Sequence, residues 1–194
     1  MLIGEGAEAK IYKTRIFGNE VIVKRREKKA YRVSELDQRL RRERTSSEAR
    51  IMLRLHRSGV KTPRIIAVGR FSIYMERLHG RALKDIEVTQ KHMGEVGRTL
   101  GRIHGLNVAH GDFTPANLML CKDGLYVMDF GLAEATNSTE EKALDILLMK
   151  RSVPKALYSA FIVSYSKAFG KAAETKKRLG EIEKRGRYQI RTLA

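Results

Sequence analysis

Cysteine and proline are scarce in this 194-residue sequence, which contains one cysteine and three prolines. The lone Cys121 cannot form an internal disulfide, and one thiol cannot build a cysteine-type zinc site. Long apolar runs are also missing, since none approaches the roughly 18 residues of a membrane span. The first residues lack the charged and then apolar layout of a signal peptide. We therefore expect a cytoplasmic protein in a reducing compartment, with no membrane contact.

Acidic residues are few relative to basic ones. The sequence holds 22 Asp and Glu against 39 Lys and Arg, which gives a net charge of +17 and a pI near 10.2. Such an excess predicts a polyanionic partner: a nucleic acid, a phosphorylated ligand or an acidic protein surface. Hydrophobic residues make up 42% of the chain, so it can bury a core in one domain or in two small lobes that share a cleft.

The pattern of the first 75 residues predicts short strands around one helix. The first hairpin would turn at Gly18-Asn19, a pair suited to positive φ angles, and a second pair of strands is separated by Gly69-Arg70. The helix between these hairpins would end at Ser58-Gly59. The predicted strands are Ile11–Thr14, Val21–Lys24, Ile65–Val68 and Phe71–Met75, and the shared helix face is Glu48, Ile51, Met52 and Leu55.

Helical periodicity dominates after His79-Gly80. A helix that ends at His104-Gly105 precedes a short hairpin around Asp123-Gly124. Ser138 and Glu141 form a capping-box pattern before the next helix, and Pro154 opens the one after it, which Gly170 ends. The predicted faces are Met93, Val96, Leu100 and Ile103; Leu144, Leu147 and Leu148; and Leu157, Phe161, Tyr165 and Phe169, with hairpin strands at Leu118–Leu120 and Leu125–Met128.

A glycine-rich turn lies near the N-terminus, where Gly4, Gly6 and Ala9 form a G-x-G-x-x-A pattern between two strands. Glycines let backbone N–H groups approach phosphate oxygens, although a lone pattern of this kind is more often a plain hairpin. A strand rather than a helix follows, which argues against a dinucleotide-binding turn. Lys24 ends the next apolar strand, where by itself it would be an ordinary surface lysine.

The strongest signal is the loop His110–Asn117, HGDFTPAN, between a helix and the small hairpin. Asp112 can accept or orient the proton of a hydroxyl or water, and Asn117 can hold a metal ion on phosphates. Asp129 opens a D-F-G sequence after the hairpin and would face the same ion. Carboxylate and amide oxygens are ligands that magnesium prefers. The pattern predicts a phosphotransferase that uses ATP and magnesium.

In their order and element types these motifs resemble the protein-kinase signature, from about Leu2 to Gly131. The resemblance implies an α+β, minimal bilobal fold, with an antiparallel-sheet N-lobe and one main helix at residues 1–75, a hinge at 76–80 and a reduced, mainly helical C-lobe at 81–194. Glu48 would hold Lys24, with Glu43 as the alternative partner. The implied roles are Lys24 on the α/β-phosphates, Asp112 as catalytic base, Asn117 and Asp129 on magnesium, Gly4, Gly6 and Ala9 at the phosphates, and the Glu76 and Leu78 backbone on adenine.

Several departures from regulated protein kinases narrow the resemblance. Gly111 replaces an arginine, so control by a phosphorylated activation loop is not expected, and Thr114 replaces a phosphate-contacting lysine. No Ala-Pro-Glu follows Gly131, and the 63 residues after it are too few for a peptide-binding half lobe. Asp145 is either a brace for the backbone of the His110–Asn117 loop, as in kinases, or an ordinary helix-surface aspartate.

Nearly the whole chain resembles the small atypical kinase of the KEOPS (EKC) complex, a member of the RIO-like minimal kinase group that acts in tRNA threonylcarbamoyladenosine modification. The resemblance implies ATP hydrolysis and autophosphorylation on Ser or Thr. It also implies docking on the threonylcarbamoyl-transferase subunit and on a small subunit at the N-lobe. It rests on the minimal length and on residues 44–49 (RTSSEA), 60–63 (VKTP), 110–117, 141–145 (EKALD) and 184–187 (KRGR).

Three alternative functions stay open. A RIO-type ribosome-maturation kinase is also small, but its Gly-rich loop is a Ser/Thr-Gly-Lys sequence unlike Gly4–Ala7. A small-molecule kinase shares the His-Gly-Asp loop but needs a helical insert that holds the substrate. A non-catalytic tRNA-binding scaffold would not require the full set of catalytic residue types, all of which are present.

Two basic stretches are candidates for contact with tRNA phosphates: Lys24–Arg44, with net charge +6, and the C-terminal tail Lys171–Ala194, with net charge +5. Tyr188 in the tail could stack on a base. The structural alternative is an amphipathic helix whose Leu179 and Ile182 cover the large lobe. We expect Gly180 to interrupt that helix.

Overall fold

A computed structural model describes residues 1–6 and 8–191, and the side chains of residues 186–191 are outside the description. The N-terminal part is a five-stranded antiparallel sheet with one long helix. Its elements are β1 (Leu2–Glu5), β2 (Lys10–Ile16), β3 (Asn19–Arg25), α1 (Ser34–Arg57), β4 (Ile65–Val68) and β5 (Ser72–Glu76). The strand order β1-β2-β3-β5-β4 places β3, which carries Lys24, at the centre of the sheet.

The first hairpin turns one residue earlier than predicted. Ile16 pairs with Asn19, so the turn residues are Phe17 (φ 47°) and Gly18 (φ 79°) and not Gly18-Asn19. A two-residue turn of this kind needs positive φ at both central positions. Asn19 already belongs to β3, and its Nδ2 donates to the Phe17 carbonyl oxygen at 3.3 Å. The strands on either side confirm the predicted hairpin.

Helix α1 begins well before the buried face that the sequence predicts, so the second half of the basic stretch Lys24–Arg44 is helical. Its first turns are fixed by the buried Asp37, which accepts hydrogen bonds from the Lys29 backbone at 3.1 Å and from Arg41 Nε at 2.7 Å. The predicted end is confirmed by Gly59, which follows the helix at φ 75°. The buried residues of the helix include the whole predicted face, Glu48, Ile51, Met52 and Leu55.

The second part of the chain contains two small sheets. Their strands are β6 (Gly80–Ala82), β7 (Val108–Ala109), β8 (Leu118–Cys121), β9 (Gly124–Val127) and β10 (Glu134–Ala135), in orders β6-β8-β9 and β10-β7. The hairpin of β8 and β9 confirms the prediction. The other three strands were not predicted, because strands of two or three residues carry no periodic pattern. Strand β7 leads directly into the His110–Asn117 loop.

Four helices complete the chain: α2 (Gln90–Gly105), α3 (Thr139–Ser152), α4 (Lys155–Ala168) and α5 (Ala172–Arg191). Helices α2 and α4 pack closely, because a Cβ at Gly97 would lie 2.2 Å from the Phe161 carbonyl oxygen. The predicted cap of α3 is half right: Ser138 accepts from the Glu141 backbone, but its own N–H donates to Thr136. The predicted core residues Met93, Val96, Leu100, Ile103, Phe161, Tyr165 and Phe169 are buried.

Helix α5 covers the helical part of the molecule. Leu179 is buried and Ile182 packs against the core, as the structural alternative predicts. The expected interruption at Gly180 is wrong, because the helix continues to Arg191. Ion pairs of Arg178 and Arg185 with Glu140 on α3 help to hold it in place. The predicted tRNA contacts of Arg187, Tyr188 and Arg191 involve side chains outside the described residues. No described helix has the length and apolar character of a membrane span.

Candidate active site

Lys24 joins three parts of the fold. It is buried at the centre of the sheet, and its Nζ lies 2.6 Å from Glu48 Oε1 on α1 and 2.6 Å from Asp129 Oδ1 after β9. Glu43, the alternative partner, is exposed, and its ion-pair contact is with Arg39. The structure therefore pairs Lys24 with Glu48 and brings the D-F-G aspartate to the same ammonium group.

Arg26 is a second cation of this cluster, which the sequence analysis missed. Its buried guanidinium lies 2.7 Å from Glu48 Oε2, so each oxygen of the Glu48 carboxylate has its own cation. Such pairing offsets the cost of burying three charges. Arg26 lies directly after the end of β3 and follows Lys24 by two residues, and that period-2 spacing was the available signal.

Glu8 ties the glycine-rich turn to this cluster. Its Oε2 lies 3.1 Å from Arg26 Nη1, and its other oxygen pairs with Arg44 on α1. The Arg44 hydrogen bond holds the pKa of Glu8 below its usual value. The turn itself is closed by Gly6 N–H, which donates to Ala9 O at 2.9 Å. Ala7 lies outside the described residues. Ion pairs thus fix the glycine-rich turn over the sheet beside Lys24.

The His110–Asn117 loop is held by hydrogen bonds within the loop and by Asp145 on α3. Asn117 Nδ2 donates to Asp112 Oδ2 at 2.8 Å and to the Asp112 carbonyl oxygen at 2.9 Å. Asp145 on α3 is fully buried and accepts from the backbone N–H of His110 at 2.7 Å and of Gly111 at 2.8 Å. The helix-surface alternative for Asp145 is therefore wrong, and its carboxylate braces the loop.

Asp145 is itself positioned by a chain of buried polar groups. His104 Nε2 on α2 lies 3.1 Å from Asp145 Oδ2, and His104 Nδ1 lies 2.8 Å from the Tyr165 hydroxyl on α4. Burial lowers the pKa of His104 below its ordinary value, so the ring is neutral at pH 7. A carboxylate can only accept, so Nε2 carries the proton and Nδ1 accepts from Tyr165. Three helices thereby fix one carboxylate.

The backbone conformation at Gly111 explains why the loop has glycine where regulated protein kinases have arginine. Its φ is +80°, and a Cβ there would lie 2.5 Å from the Leu132 carbonyl oxygen. A side chain at this position would meet both backbone strain and a backbone clash. The glycine that the sequence analysis noted as a departure is required by the path of the backbone.

His110 connects the loop with the residue before Asp129. Burial lowers the pKa of His110, and its Nε2 lies 3.1 Å from the Met128 carbonyl oxygen, to which the neutral ring donates. Its Nδ1 accepts from the Asp112 backbone N–H at 3.2 Å. Asp129 has a φ of +56°, a conformation that non-glycine residues adopt mainly at constrained sites. The neutral imidazole thus sets the spacing between Asp112 and Asp129.

Asp129 stays ionised beside Lys24. Partial burial favours its protonated form, but the Lys24 charge and hydrogen bond outweigh this effect and hold the pKa of Asp129 below its usual value. Its Oδ1 accepts from Lys24 and from the Gly131 backbone at 3.1 Å. The second carboxylate oxygen makes no hydrogen bond to a described residue.

Two joined cavities occupy the cleft between the sheet and the helices. The inner one, of about 500 Å³, is lined by apolar side chains and by the segment Glu76–Leu78. The Glu76 side chain is held by Arg64, whose backbone N–H donates to Oε1 at 2.8 Å. The apolar wall consists of Ile3, Ile11, Ile22, Met52, Met75, Met119 and Met128. Such a slot suits a flat heterocycle.

The outer cavity, of about 830 Å³, opens between the glycine-rich turn and the His110–Asn117 loop. It shares Ile11, Lys24, Asn117 and Asp129 with the inner cavity. All ten site residues predicted from the sequence line this one cleft: Gly4, Gly6, Ala9, Lys24, Glu48, Glu76, Leu78, Asp112, Asn117 and Asp129.

The donor set of the cleft fits magnesium and not a closed all-protein metal site. Among the described residues there is no group of three or more His, Cys, Asp or Glu that could hold a metal ion. Asp129 offers one carboxylate oxygen and Asn117 its amide oxygen, both without a hydrogen bond to a described residue. Magnesium binds proteins through one or two such oxygens and completes its shell with water and substrate phosphate.

Comparison with known proteins agrees with this architecture. A family model for the RIO domain matches residues 4–156. The KEOPS complex subunit Bud32 of Pyrococcus abyssi is 37% identical, over 98% of this chain and 97% of that protein. A probable serine/threonine-protein kinase BUD32 homolog of Archaeoglobus fulgidus is 39% identical, over 96% and 94% of the two chains.

Two further matches are more limited, one in the share of the relative that is covered and the other in sequence identity. A probable bifunctional tRNA threonylcarbamoyladenosine biosynthesis protein of Methanosarcina mazei is 36% identical, and 96% of this chain matches 35% of its length. The crystal structure of the Rio2 kinase-ADP/Mg²⁺-phosphoaspartate complex from Chaetomium thermophilum superimposes with a TM-score of 0.66 at 16% identity, over 96% of this chain and 70% of that one. At so low an identity the likeness shows the fold alone, which is that of a protein kinase.

Proposed function

The chain belongs to the RIO domain family and, within it, to the group of the KEOPS subunit Bud32, and we propose that it is a Ser/Thr protein kinase and ATPase that uses ATP and magnesium. The observation that carries the proposal is the position of Lys24 Nζ, 2.6 Å from both Glu48 and Asp129. This contact brings a strand, a helix and the D-F-G aspartate together at the phosphate end of an apolar slot.

The sheet side of the cleft binds the nucleotide in this proposal. Lys24 contacts the α- and β-phosphates, and Glu48 holds its ammonium group in place. Backbone N–H groups around Gly4, Gly6 and Ala9 cover the phosphates. The backbone of Glu76 and Leu78 reads the adenine edge; the Leu78 N–H makes no hydrogen bond to a described residue and is available for this contact.

The helical side orients the reaction. Asp112 Oδ2 accepts from Asn117, which leaves Oδ1 to take the proton of an attacking serine or threonine hydroxyl or of water. Asn117 and Asp129 hold magnesium, which neutralises phosphate charge when it is bound. Phosphoryl transfer needs little covalent help from the protein, so catalysis here is positioning and charge stabilisation.

We propose the same lobe limits as the sequence predicts: an N-lobe at 1–75, a hinge at 76–80 and a C-lobe at 81–194. The hinge spans the end of β5 and the start of β6, and the two cavities lie beside it. Small rotations at this segment would open and close the slot around a nucleotide.

The relatives' names support a cellular role for the chain. We propose that the chain acts in the cytoplasm, within a KEOPS complex, in tRNA threonylcarbamoyladenosine modification. It docks on the threonylcarbamoyl-transferase subunit and on a small subunit at the N-lobe. It hydrolyses ATP and autophosphorylates on Ser or Thr. The basic stretch Lys24–Arg44 and the C-terminal tail contact tRNA phosphates, in keeping with the net charge of +17.

The alternatives have less support. Similarity to Rio2 kinase at 16% identity carries the fold and not a ribosome-maturation role, whereas relatives that match over nearly full length bear the KEOPS name. A small-molecule kinase would need an added substrate-holding segment. A scaffold without chemistry would have no use for the Lys24, Asp112, Asn117 and Asp129 constellation.

Measurement of magnesium-dependent ATP hydrolysis, with and without tRNA and the partner subunits, tests the proposal. We expect turnover that requires magnesium and changes when tRNA or the partners are added. A protein that hydrolyses no ATP under any of these conditions would contradict the proposed enzymatic role and favour the scaffold. Stimulation by ribosomal particles, and not by tRNA with partners, would favour the ribosome-maturation alternative.

A further inference from the structure

Three cations line the outer cavity among the described residues: Lys24, Arg26 and Lys84. The first two are already paired, Lys24 with Glu48 and Asp129, and Arg26 with Glu8 and Glu48. Lys84 is exposed and makes no ion pair or hydrogen bond to a described residue. It is therefore the cation of this cavity that is available to a ligand.

The turn that carries Lys84 is fixed. Residues Leu83–Asp85 form a short 3₁₀ turn that is anchored by the buried side chain of Leu83. Arg81 Nη2 donates to the Asp85 carbonyl oxygen at 2.7 Å and closes the segment. The turn packs against a second 3₁₀ turn, Pro115–Asn117, which ends in the proposed magnesium ligand. Lys84 thus rises from a rigid base beside the His110–Asn117 loop.

The loop itself supplies no cation. None of its eight residues is Lys or Arg, and Thr114 lines a neighbouring groove next to Pro154 and Leu157, which Lys84 also borders. Thr114 is the position where the sequence analysis noted a missing phosphate-contacting lysine. Lys84 enters the cavity beside Asp112, Ala116 and Asn117 from a different part of the chain.

The balance of charged residues in the outer cavity makes the position of Lys84 important. The described lining of the outer cavity holds the carboxylates Glu5, Glu8, Asp112 and Asp129 against its three cations, and Glu5 and Glu8 also pair with Lys10 and Arg44 beyond the lining. The cavity therefore has no surplus of positive charge except at Lys84, despite the basic chain. A triphosphate carries about four negative charges, and the transferred group spreads charge over its outer oxygens in the transition state. A preorganised cation on the loop side would stabilise that charge.

We propose that Lys84 contacts the terminal phosphoryl group of a nucleoside triphosphate from the side of the His110–Asn117 loop, where Thr114 leaves no charge. This proposal rests on the proposed function of the cleft. The compact ammonium group on a flexible stem can follow the phosphoryl group as it moves toward its acceptor. Contact with the terminal group alone predicts that Lys84 distinguishes triphosphates from diphosphates.

The test compares Lys84→Met and Lys84→Arg with wild type, with Lys91→Met as a matched control on the exposed surface of α2. Calorimetry in magnesium measures the affinity for ADP and for a non-hydrolysable ATP analogue. Lys84→Met should weaken analogue binding about tenfold and leave ADP binding unchanged, since one charge-assisted contact is lost. Its ATP turnover should fall by on the order of 10²-fold, and Lys84→Arg should recover most of it.

The outcomes separate this proposal from the one on which it rests. Equal losses for ADP and the analogue, or no loss for either, would overturn the assignment of Lys84 while wild-type binding and turnover still support the ATP site. A wild-type protein that binds neither nucleotide would overturn the proposed function, and the assignment of Lys84 with it. Lys91→Met should behave as wild type in every measurement.

Discussion

The two sides of the cleft are held by different kinds of interaction. On the sheet side, ion pairs connect Lys24 and Arg26 at the end of β3 with Glu8 of the glycine-rich turn and with Glu48 of α1. On the helical side, the buried Asp145 carboxylate and the neutral His110 ring bind backbone atoms, and the neutral His104 ring holds Asp145. Ion pairs can exchange one partner at a time, whereas hydrogen bonds to backbone amides fix one geometry. The first arrangement suits the grip on a charged nucleotide, and the second suits groups that must stay at fixed distances.

The largest expected effect is the loss of turnover in Asp112→Asn. The amide keeps the shape and can still accept from Asn117, but it lacks the basic oxygen, so turnover should fall about 10³-fold. Nucleotide binding should persist, because the proposed contacts to the α- and β-phosphates and to adenine lie on the sheet side. Steady-state ATP hydrolysis and calorimetry measure the two quantities separately.

The opposite result for Asp112→Asn would contradict the roles assigned to the two sides of the cleft. If Asp112→Asn abolished ATP binding yet kept single-turnover chemistry, the roles of the two sides would have to be exchanged. A near-wild-type rate in a clean preparation would remove Asp112 from the chemistry altogether.

Lys24→Ala and Asp129→Ala should each reduce ATPase or autophosphorylation by at least on the order of 10²-fold, the scale of one preorganised electrostatic contact. Lys24→Ala should remain folded, because Glu48 keeps its ion pair with Arg26 at 2.7 Å. Arg25→Ala is the matched control, since Arg25 is the next residue of β3 and is exposed. Unchanged turnover in Lys24→Ala, or equal loss in Arg25→Ala, would contradict the sheet-side assignment.

The sequence predicts the motif residues of the cleft but not the contacts that hold them in place. Lys24, Asp112, Asn117 and Asp129 lie in local motifs whose spacing and element type are visible along the chain. The support beneath them is not local: Glu8 meets Arg26 across the sheet, and His104, Asp145 and Tyr165 come from three helices. Such contacts depend on tertiary packing, which no single-sequence periodicity encodes.

The wrong prediction of a helix interruption at Gly180 also arose because tertiary packing is not visible in the sequence. A glycine inside a helix costs about 1 kcal/mol relative to alanine, and that cost, together with a core pattern that fades after it, predicted an interruption. The burial of Leu179 and the ion pairs of Arg178 and Arg185 with Glu140 on α3 outweigh it. Local propensity gave the wrong result where packing onto another helix decides.

The neutral histidines of the helical side predict a pH dependence of stability. Burial lowers the pKa of His104 below its ordinary 6.5, and His110 is shifted in the same direction. Below pH 6.5 the unfolded chain therefore binds protons that the folded protein refuses, and the free energy of unfolding falls as pH falls. The slope should be about 1.4 kcal/mol per pH unit for each such histidine.

Urea unfolding at pH 7.5 and 5.5 measures this effect. The exposed His56 provides a control, because His56→Gln should leave the slope unchanged. Carboxylates with lowered pKa, such as Glu8 and Asp129, lose their contribution only at more acidic pH and do not enter this window. A flat profile between the two pH values would show that the buried rings accept protons in the folded state.

The smallest expected effect concerns the C-terminal tail, which adds positive charge outside the cleft. Truncation after Lys184 removes Arg185, Arg187 and Arg191 but keeps Leu179, the buried anchor of α5. If the tail binds tRNA phosphates, the slope of log affinity against log salt should flatten by about 0.7–0.9 for each lost contact. Arg185 already pairs with Glu140, so it should contribute the smallest share of that change. A full-length variant with Arg185→Gln, Arg187→Gln and Arg191→Gln separates the loss of charge from the loss of helix.

A flatter slope in both proteins, with basal ATPase unaltered, would place tRNA contact in the tail and chemistry in the cleft. An unchanged slope and affinity would leave the tail with a structural role, as a cover for the helical side.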